Sequence, residues 1–138
     1  MSSGHVGICV QNIQEASDWF ERLGYGVVFR SYRDEPFLAL VTGRAGAKAN
    51  IWHMERLFPE SGPRIELLEY VLPMESADTE PTHFGNGHLA LEVPSVELLI
   101  RDLDLIGVSV IPDGENAGKK IAYVRGPSGF VVELVEIP

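Results

Sequence analysis

Two histidines stand at matching places in this chain. His5 opens His5-Val6-Gly7-Ile8-Cys9-Val10, and His88 opens His88-Leu89-Ala90-Leu91-Glu92-Val93. Both stretches read histidine, apolar, small, Ile or Leu, any residue, valine. Two further stretches echo each other: Ile65-Glu66-Leu67-Leu68-Glu69 and Val132-Glu133-Leu134-Val135-Glu136 share the order apolar, Glu, Leu, apolar, Glu. Two imidazoles and two carboxylates at equivalent positions of a repeated unit are natural ligands for one divalent metal. Neutral imidazoles supply nitrogen, and two carboxylates cancel the charge of the ion. The mixed set suits Zn, Ni, Co, Mn or Fe(II) without choosing among them. A lone strand histidine is ordinarily structural or on the surface, and a strand glutamate ordinarily faces solvent. The recurrence in both halves is what argues for more, because it suggests an internal duplication. Alternation puts Glu66 and Glu69 on opposite sides of their strand, and does not say which of them faces a site.

Strands must carry these residues. In the second stretch Leu89, Leu91 and Val93 point to one side, and His88, Ala90 and Glu92 to the other. Residues 4–11 form the first strand. Residues 14–23 read as a helix, with Ala16, Trp19, Phe20 and Leu23 on one face and Gly24 as the stop. At that spacing Trp19 and Phe20 are core residues rather than a ligand platform. Residues 27–32 are a second strand and 37–41 a third, with Pro36 at its start. Residues 43–46 are a turn, 49–54 a further strand, 55–63 a loop and 64–71 the closing strand. Trp52 and His53 lie in the 49–54 strand; His53 is a candidate for substrate contact or proton transfer, but an ordinary strand histidine is the favoured reading.

Residues 72–86 carry prolines, acidic and small polar residues without periodicity, and read as a linker; His83 lies in it as a loop residue. The second half repeats the plan. A strand at 87–93 leads through Pro94 to a helix over 95–106, ended by Gly107. Strands follow at 108–111, 119–125 and 130–137. A loop at 112–118 could cover a site, and 126–129 is a tight turn. Each half therefore reads as βαβββ, an α+β fold, and 1–138 reads as one domain of module 4–71, linker 72–86 and module 87–137.

The 138 residues suit one domain, and the 45% apolar content suits a globular core. A net charge of -9 argues against nucleic acid or an anionic membrane surface as partner. The one cysteine, Cys9, excludes an intrachain disulfide, and its place in a strand reads as a small buried residue. No run of the sequence is long and apolar enough for a membrane span, and the N-terminus lacks a signal-peptide core, so a cytoplasmic protein is expected.

Nearly the whole chain resembles the vicinal oxygen chelate superfamily, also called the glyoxalase/bleomycin-resistance/dioxygenase superfamily. His5-Val6-Gly7-Ile8-Cys9-Val10 looks like its first strand. Trp19-Phe20-Glu21-Arg22-Leu23-Gly24 resembles its aromatic-x-x-Leu-Gly helix end, and Arg64-Ile65-Glu66-Leu67 its fourth-strand ligand motif. Gly87-His88-Leu89-Ala90 and Gly126-Pro127-Ser128-Gly129-Phe130-Val131-Val132-Glu133-Leu134 look like the other two, the last being the most specific.

The resemblance implies paired βαβββ modules forming a cup-shaped mixed sheet around a metal. It selects His5, Glu66, His88 and Glu133 as ligands, rather than Glu69 or Glu136. It implies a small-molecule substrate bound through adjacent oxygens, a metal acting as Lewis acid on an enediolate-like anion, and a homodimer. Glu133 is the implied base, with Glu66 as its opposite-face partner. A glutamate at position 66 favours glyoxalase I-like lyases and methylmalonyl-CoA epimerase-like isomerases, which use four protein ligands and Ni, Zn, Co or Mn. Extradiol dioxygenases use two histidines and the last glutamate around Fe(II); Tyr123, ten residues before Glu133, stands where they carry an active-site tyrosine, or is a cross-strand aromatic. Cys9 stands where glyoxalase I-like proteins often carry an arginine for glutathione, so that cosubstrate is not implied. A non-enzymatic drug-binding protein of the bleomycin-resistance type is a further alternative, against which the four ligand residues argue.

Overall fold

The alternating strands and the amphipathic helix of the first half assemble as their patterns require. The computed structural model describes residues 4–34, 36–71, 79–83 and 85–137, and the chain divides into two compact units, Met1–Ser76 and Ala77–Pro138. The first unit runs β1 (His5–Cys9), α1 (Ile13–Glu21), β2 (Tyr25–Arg33), α2 (Phe37–Thr42), β3 (Ala49–Arg56), β4 (Arg64–Tyr70). The second runs β5 (His88–Val93), α3 (Val96–Leu99), a 3-10 turn (Ile100–Asp102), β6 (Asp104–Val110), β7 (Lys120–Arg125), a second 3-10 turn (Pro127–Gly129) and β8 (Val131–Glu136). Each unit holds one open four-stranded sheet, in the orders β1-β4-β3-β2 and β5-β8-β7-β6. The first pair in each order is parallel and the others are antiparallel. Two βαβββ modules with mixed sheets are thus the architecture that the repeated motifs predict.

Helix α1 packs its face Ile13, Ala16, Ser17 and Phe20 into the core. Asn12 caps it, its side-chain oxygen accepting from the Glu15 N–H at 2.9 Å. Its last turn tightens before Gly24, where Leu23 N–H donates to Phe20 O and Gly24 N–H to Glu21 O. Phe20 is buried as expected, while Trp19 is only half-buried, edge-on to Phe20. Gly24 has φ +92°, and a Cβ there would lie 1.8 Å from the Phe58 carbonyl oxygen, so only glycine fits. The core faces of the strands supply Ile8, Met54, Ile65 and Leu67 in the first unit, and Leu89, Leu91, Val124, Val132 and Leu134 in the second. Each such side chain contributes about 1.5–3 kcal/mol by leaving water.

Three expectations fail. Residues 37–41, expected as a strand, form helix α2, closed by Gly43 at φ 70°. Leu and Ala favour helix there, Thr42 Oγ1 bonds back to Leu38 O at 2.6 Å, and Leu38 alone packs inward, on Ala47, Ala49 and Ile51. The helix expected over 95–106 stops after one turn and the chain enters β6 at Asp104, so Gly107 lies inside a strand instead of ending a helix. Pairing with β7 outweighs the helical spacing of that segment. Cys9, expected to be buried, is exposed.

Of the expected linker, residues 72–78 and 84 lie outside the described residues. Thr79 is held by Arg125, whose guanidinium donates to Thr79 O and Oγ1 at 3.1 and 2.8 Å. His83 sits in a turn, its N–H bonded to Glu80 O. Residues 111–119 close the β6–β7 hairpin through Ile111 N–H to Lys119 O and Gly118 N–H to Ile111 O.

Candidate functional site

Because β1 and β4 run parallel in a fixed register, one face of the first sheet collects a particular set of side chains. Gly7 lies opposite Glu66, and His5, two residues earlier, has its side chain on the same face. His5 Nε2 comes to 3.5 Å from Glu66 Oε2. In the second sheet the same offsets recur: Ala90 lies opposite Glu133, and His88 stands two residues earlier. His88 Nε2 lies 2.9 Å from Glu133 Oε1. The small residue of the motif has a reason in this geometry. A Cβ on Gly7 would lie 3.9 Å from Glu66 Oε1 and 3.5 Å from Leu68 Cδ1, so a longer side chain would crowd the carboxylate.

Glu69, the alternative to Glu66, has other work. Its Oε2 accepts the Ile13 N–H at 2.7 Å, at the start of α1, and its Oε1 accepts from Asn50 at 3.0 Å. A carboxylate there meets an otherwise orphan helix N–H and the positive end of the helix dipole.

The strands next to β4 and β8 bring a further residue to each glutamate. His53 on β3 pairs in register with Glu66, and its Nε2 approaches Glu66 Oε2 at 3.0 Å. A carboxylate only accepts, so His53 Nε2 carries the hydrogen. His53 Nδ1 is buried without a hydrogen-bond partner among the described residues. The ring stands edge-on to Phe29, 5.7 Å between centroids. The equivalent register position in the second unit, opposite Glu133, holds Tyr123. Tyr123 turns its hydroxyl instead toward His88 Nδ1, at 3.5 Å, with ring centroids 4.9 Å apart. Each of these residues also faces a β-bulge in the neighbouring edge strand, between Val27 and Phe29 in one unit and between Leu105 and Gly107 in the other. The sequence signal for His53 lay in its cross-strand partner, which a strand pattern alone does not reveal.

On the first sheet face burial sets the direction of the titration shifts, and the Glu66 charge adds to it. Cys9 is exposed as a residue, yet partial burial pushes its thiol up, and the Glu66 charge adds to the shift. Burial likewise pushes the Tyr70 phenol up, with Cys9 and Glu66 reinforcing it. Arg64, on the same face, pairs with Glu55 at 3.5 Å.

The geometry thus brings His5 to Glu66 and His88 to Glu133, each pair within its own unit. Among the described residues no three or more His, Cys, Asp or Glu side chains are grouped so as to hold a metal as they stand; the third group beside Glu66, His53, directs its Nε2 at the carboxylate oxygen itself. The donor chemistry of the two pairs fits a divalent ion. In both, an imidazole nitrogen and a carboxylate oxygen turn toward each other, the donor types that Zn, Ni, Co, Mn and Fe(II) accept.

Comparison with known proteins agrees with the repeated motifs. A family model described as glyoxalase/bleomycin resistance protein/dioxygenase superfamily matches residues 4–124. Among curated proteins, none matches the sequence significantly. A glyoxalase family protein of Bacillus cereus superposes with a TM-score of 0.76 at 24% identity, covering 99% of this chain and 93% of that one. The trypanothione-dependent glyoxalase I of Leishmania major gives 0.61 at 22% identity, covering 96% and 84%. A lactoylglutathione lyase from Agrobacterium tumefaciens gives 0.54 at 15% identity, covering 96% and 90%. At these identities the likeness is one of fold.

Proposed function

The chain belongs to the glyoxalase/bleomycin resistance protein/dioxygenase superfamily, and from that membership we propose that it is a divalent-metal-dependent lyase or isomerase acting by proton transfer on a small carbonyl substrate. His5, Glu66, His88 and Glu133 are the metal ligands in this reading. One observation carries it: a His–Glu pair recurs at the same register offset in both modules, with nitrogen and oxygen donors facing each other each time.

A divalent ion held there supplies Lewis acidity toward adjacent substrate oxygens. The proton chemistry belongs to the chain. Glu133 removes a proton from the carbon next to the substrate carbonyl and delivers it at the neighbouring position, with Glu66 on the opposite face. The protein acts as a homodimer in the cytoplasm, with residues 1–138 as one domain.

A second reading rests on Tyr123 standing against His88. That pairing suits an extradiol-type Fe(II) dioxygenase, in which Glu66 is not a ligand. Elemental analysis of the purified protein, followed by solvent-deuterium exchange, tests both. Bound Ni, Zn, Co or Mn, with exchange at the carbon next to the carbonyl, supports the lyase or isomerase. Iron with oxygen uptake on catechols supports the dioxygenase. A protein that takes up no metal rules out both.

A further inference from the structure

The two modules differ at one equivalent position. Opposite the module's glutamate, β3 presents His53 and β7 presents Tyr123. His53 donates to Glu66 Oε2 at 3.0 Å, the oxygen that His5 also faces at 3.5 Å. Tyr123 leaves its glutamate alone and turns to His88. Among the described residues the Glu133 carboxylate therefore meets only His88. His53 is also the more committed of the first unit's two histidines. Its side chain is 22% exposed against 46% for His5, and β2 covers its ring through Phe29. Among the described residues its Nδ1 faces no partner, and the hydrogen bond to Glu66 is the one its ring makes.

We infer that His53 is a positioning residue that anchors the ligand carboxylate of Glu66, leaving Glu133 as the glutamate free to move a proton. The inference rests on the ligand set proposed above. A hydrogen bond from a residue outside the ligand set occupies one lone pair of the carboxylate and holds the side chain in one rotamer. Removing such a partner lowers metal affinity by about 10–100-fold. The asymmetry gives the two glutamates different tasks: Glu66, held by a residue outside the ligand set, stays in place, and Glu133, whose one partner among the described residues is the proposed ligand His88, has the freedom that a base needs.

The test uses the full chain loaded with Co(II), whose visible absorption reports its ligand field. Wild type, His88→Ala, His53→Phe and His53→Gln are titrated against a competing chelator. His53→Phe keeps an aromatic ring of similar size and removes the donor; His53→Gln places an amide N–H near the same oxygen. His53→Phe is expected to bind Co(II) about 10–100-fold more weakly with an altered spectrum, and His53→Gln to recover most of the affinity and the wild-type spectrum. Should the phenylalanine variant fail to fold, His53→Leu carries the same comparison. Wild-type affinity and spectrum after donor removal, on a chain whose Co(II) binding requires His88, would overturn the role of His53 alone. So would a glutamine variant no better than the apolar one. A wild type that binds no Co(II), or binds it equally well without His88, overturns the ligand set and this inference with it.

Discussion

Glu133 is the residue on which the proposed chemistry turns. Glu133→Gln keeps the size and a coordinating amide oxygen while removing the basic carboxylate. Turnover should fall by about 10²–10⁴-fold, the usual contribution of a positioned acid or base. Metal content measured on the same sample should fall less than in His88→Ala. Full activity in a metal-loaded Glu133→Gln protein would shift the base to Glu66. Tyr25 gives a prediction independent of the site. Its hydroxyl donates to Pro63 O at 2.8 Å, and burial pushes its phenol up to about 12, with Arg56 pulling slightly the other way. The folded state thus holds the phenol protonated beyond the pH at which an unfolded chain, near 10, would release it. That stabilisation is complete below about pH 10 and is lost as pH climbs toward 12. Denaturant melts across this range should show falling stability, and Tyr25→Phe should flatten the fall.

At the scale of the elements, the two glutamates of β4 divide structure from the proposed metal chemistry, and stability measurements can separate them. Glu69→Ala removes the acceptor at the start of α1 and should cost about 1 kcal/mol, read as a lower urea midpoint, with metal uptake unchanged. Gly24→Ala forces a Cβ against the Phe58 carbonyl at a positive φ, and should cost about 1–3 kcal/mol. The same elements show what the sequence could reveal. Strand alternation around Glu66 and Glu133 was legible because Ile65, Leu67, Val132 and Leu134 all face a core. Residues 37–41 misled because a short apolar run has no period long enough to separate strand from helix. The segment after Ser95 misled differently: its apolar residues sit at helical spacing, and only the partner strand β7 decides that Asp104–Val110 is extended. His53 was visible as a residue but its meaning was not, since register with Glu66 arises only when β3 and β4 pair.

For the whole molecule, duplication is the organising fact: one strand order, one parallel pair and one bulge position occur twice. The proposed homodimer predicts twice the chain mass in sedimentation equilibrium; a monomer carrying full activity would remove it from the reading. Among the described residues no helix is long and apolar enough to cross a membrane. The outer strand of the second sheet has a consequence for colloidal behaviour. Every residue of β6 is exposed, including Leu105, Ile106, Val108 and Val110, and among the described residues one side of its backbone ladder has no neighbour in the sheet. Proline and lysine, which commonly guard such an edge, are missing from Asp104–Val110. Beside the bulge between Leu105 and Gly107, long-range repulsion from a net charge of -9 opposes edge-to-edge association beyond the proposed dimer. Salt shortens the reach of that repulsion, and acid abolishes it near the isoelectric point of about 4.8. Light scattering should therefore rise steeply as pH approaches that value, and a lysine in place of Val108 should suppress the rise while leaving the fold intact.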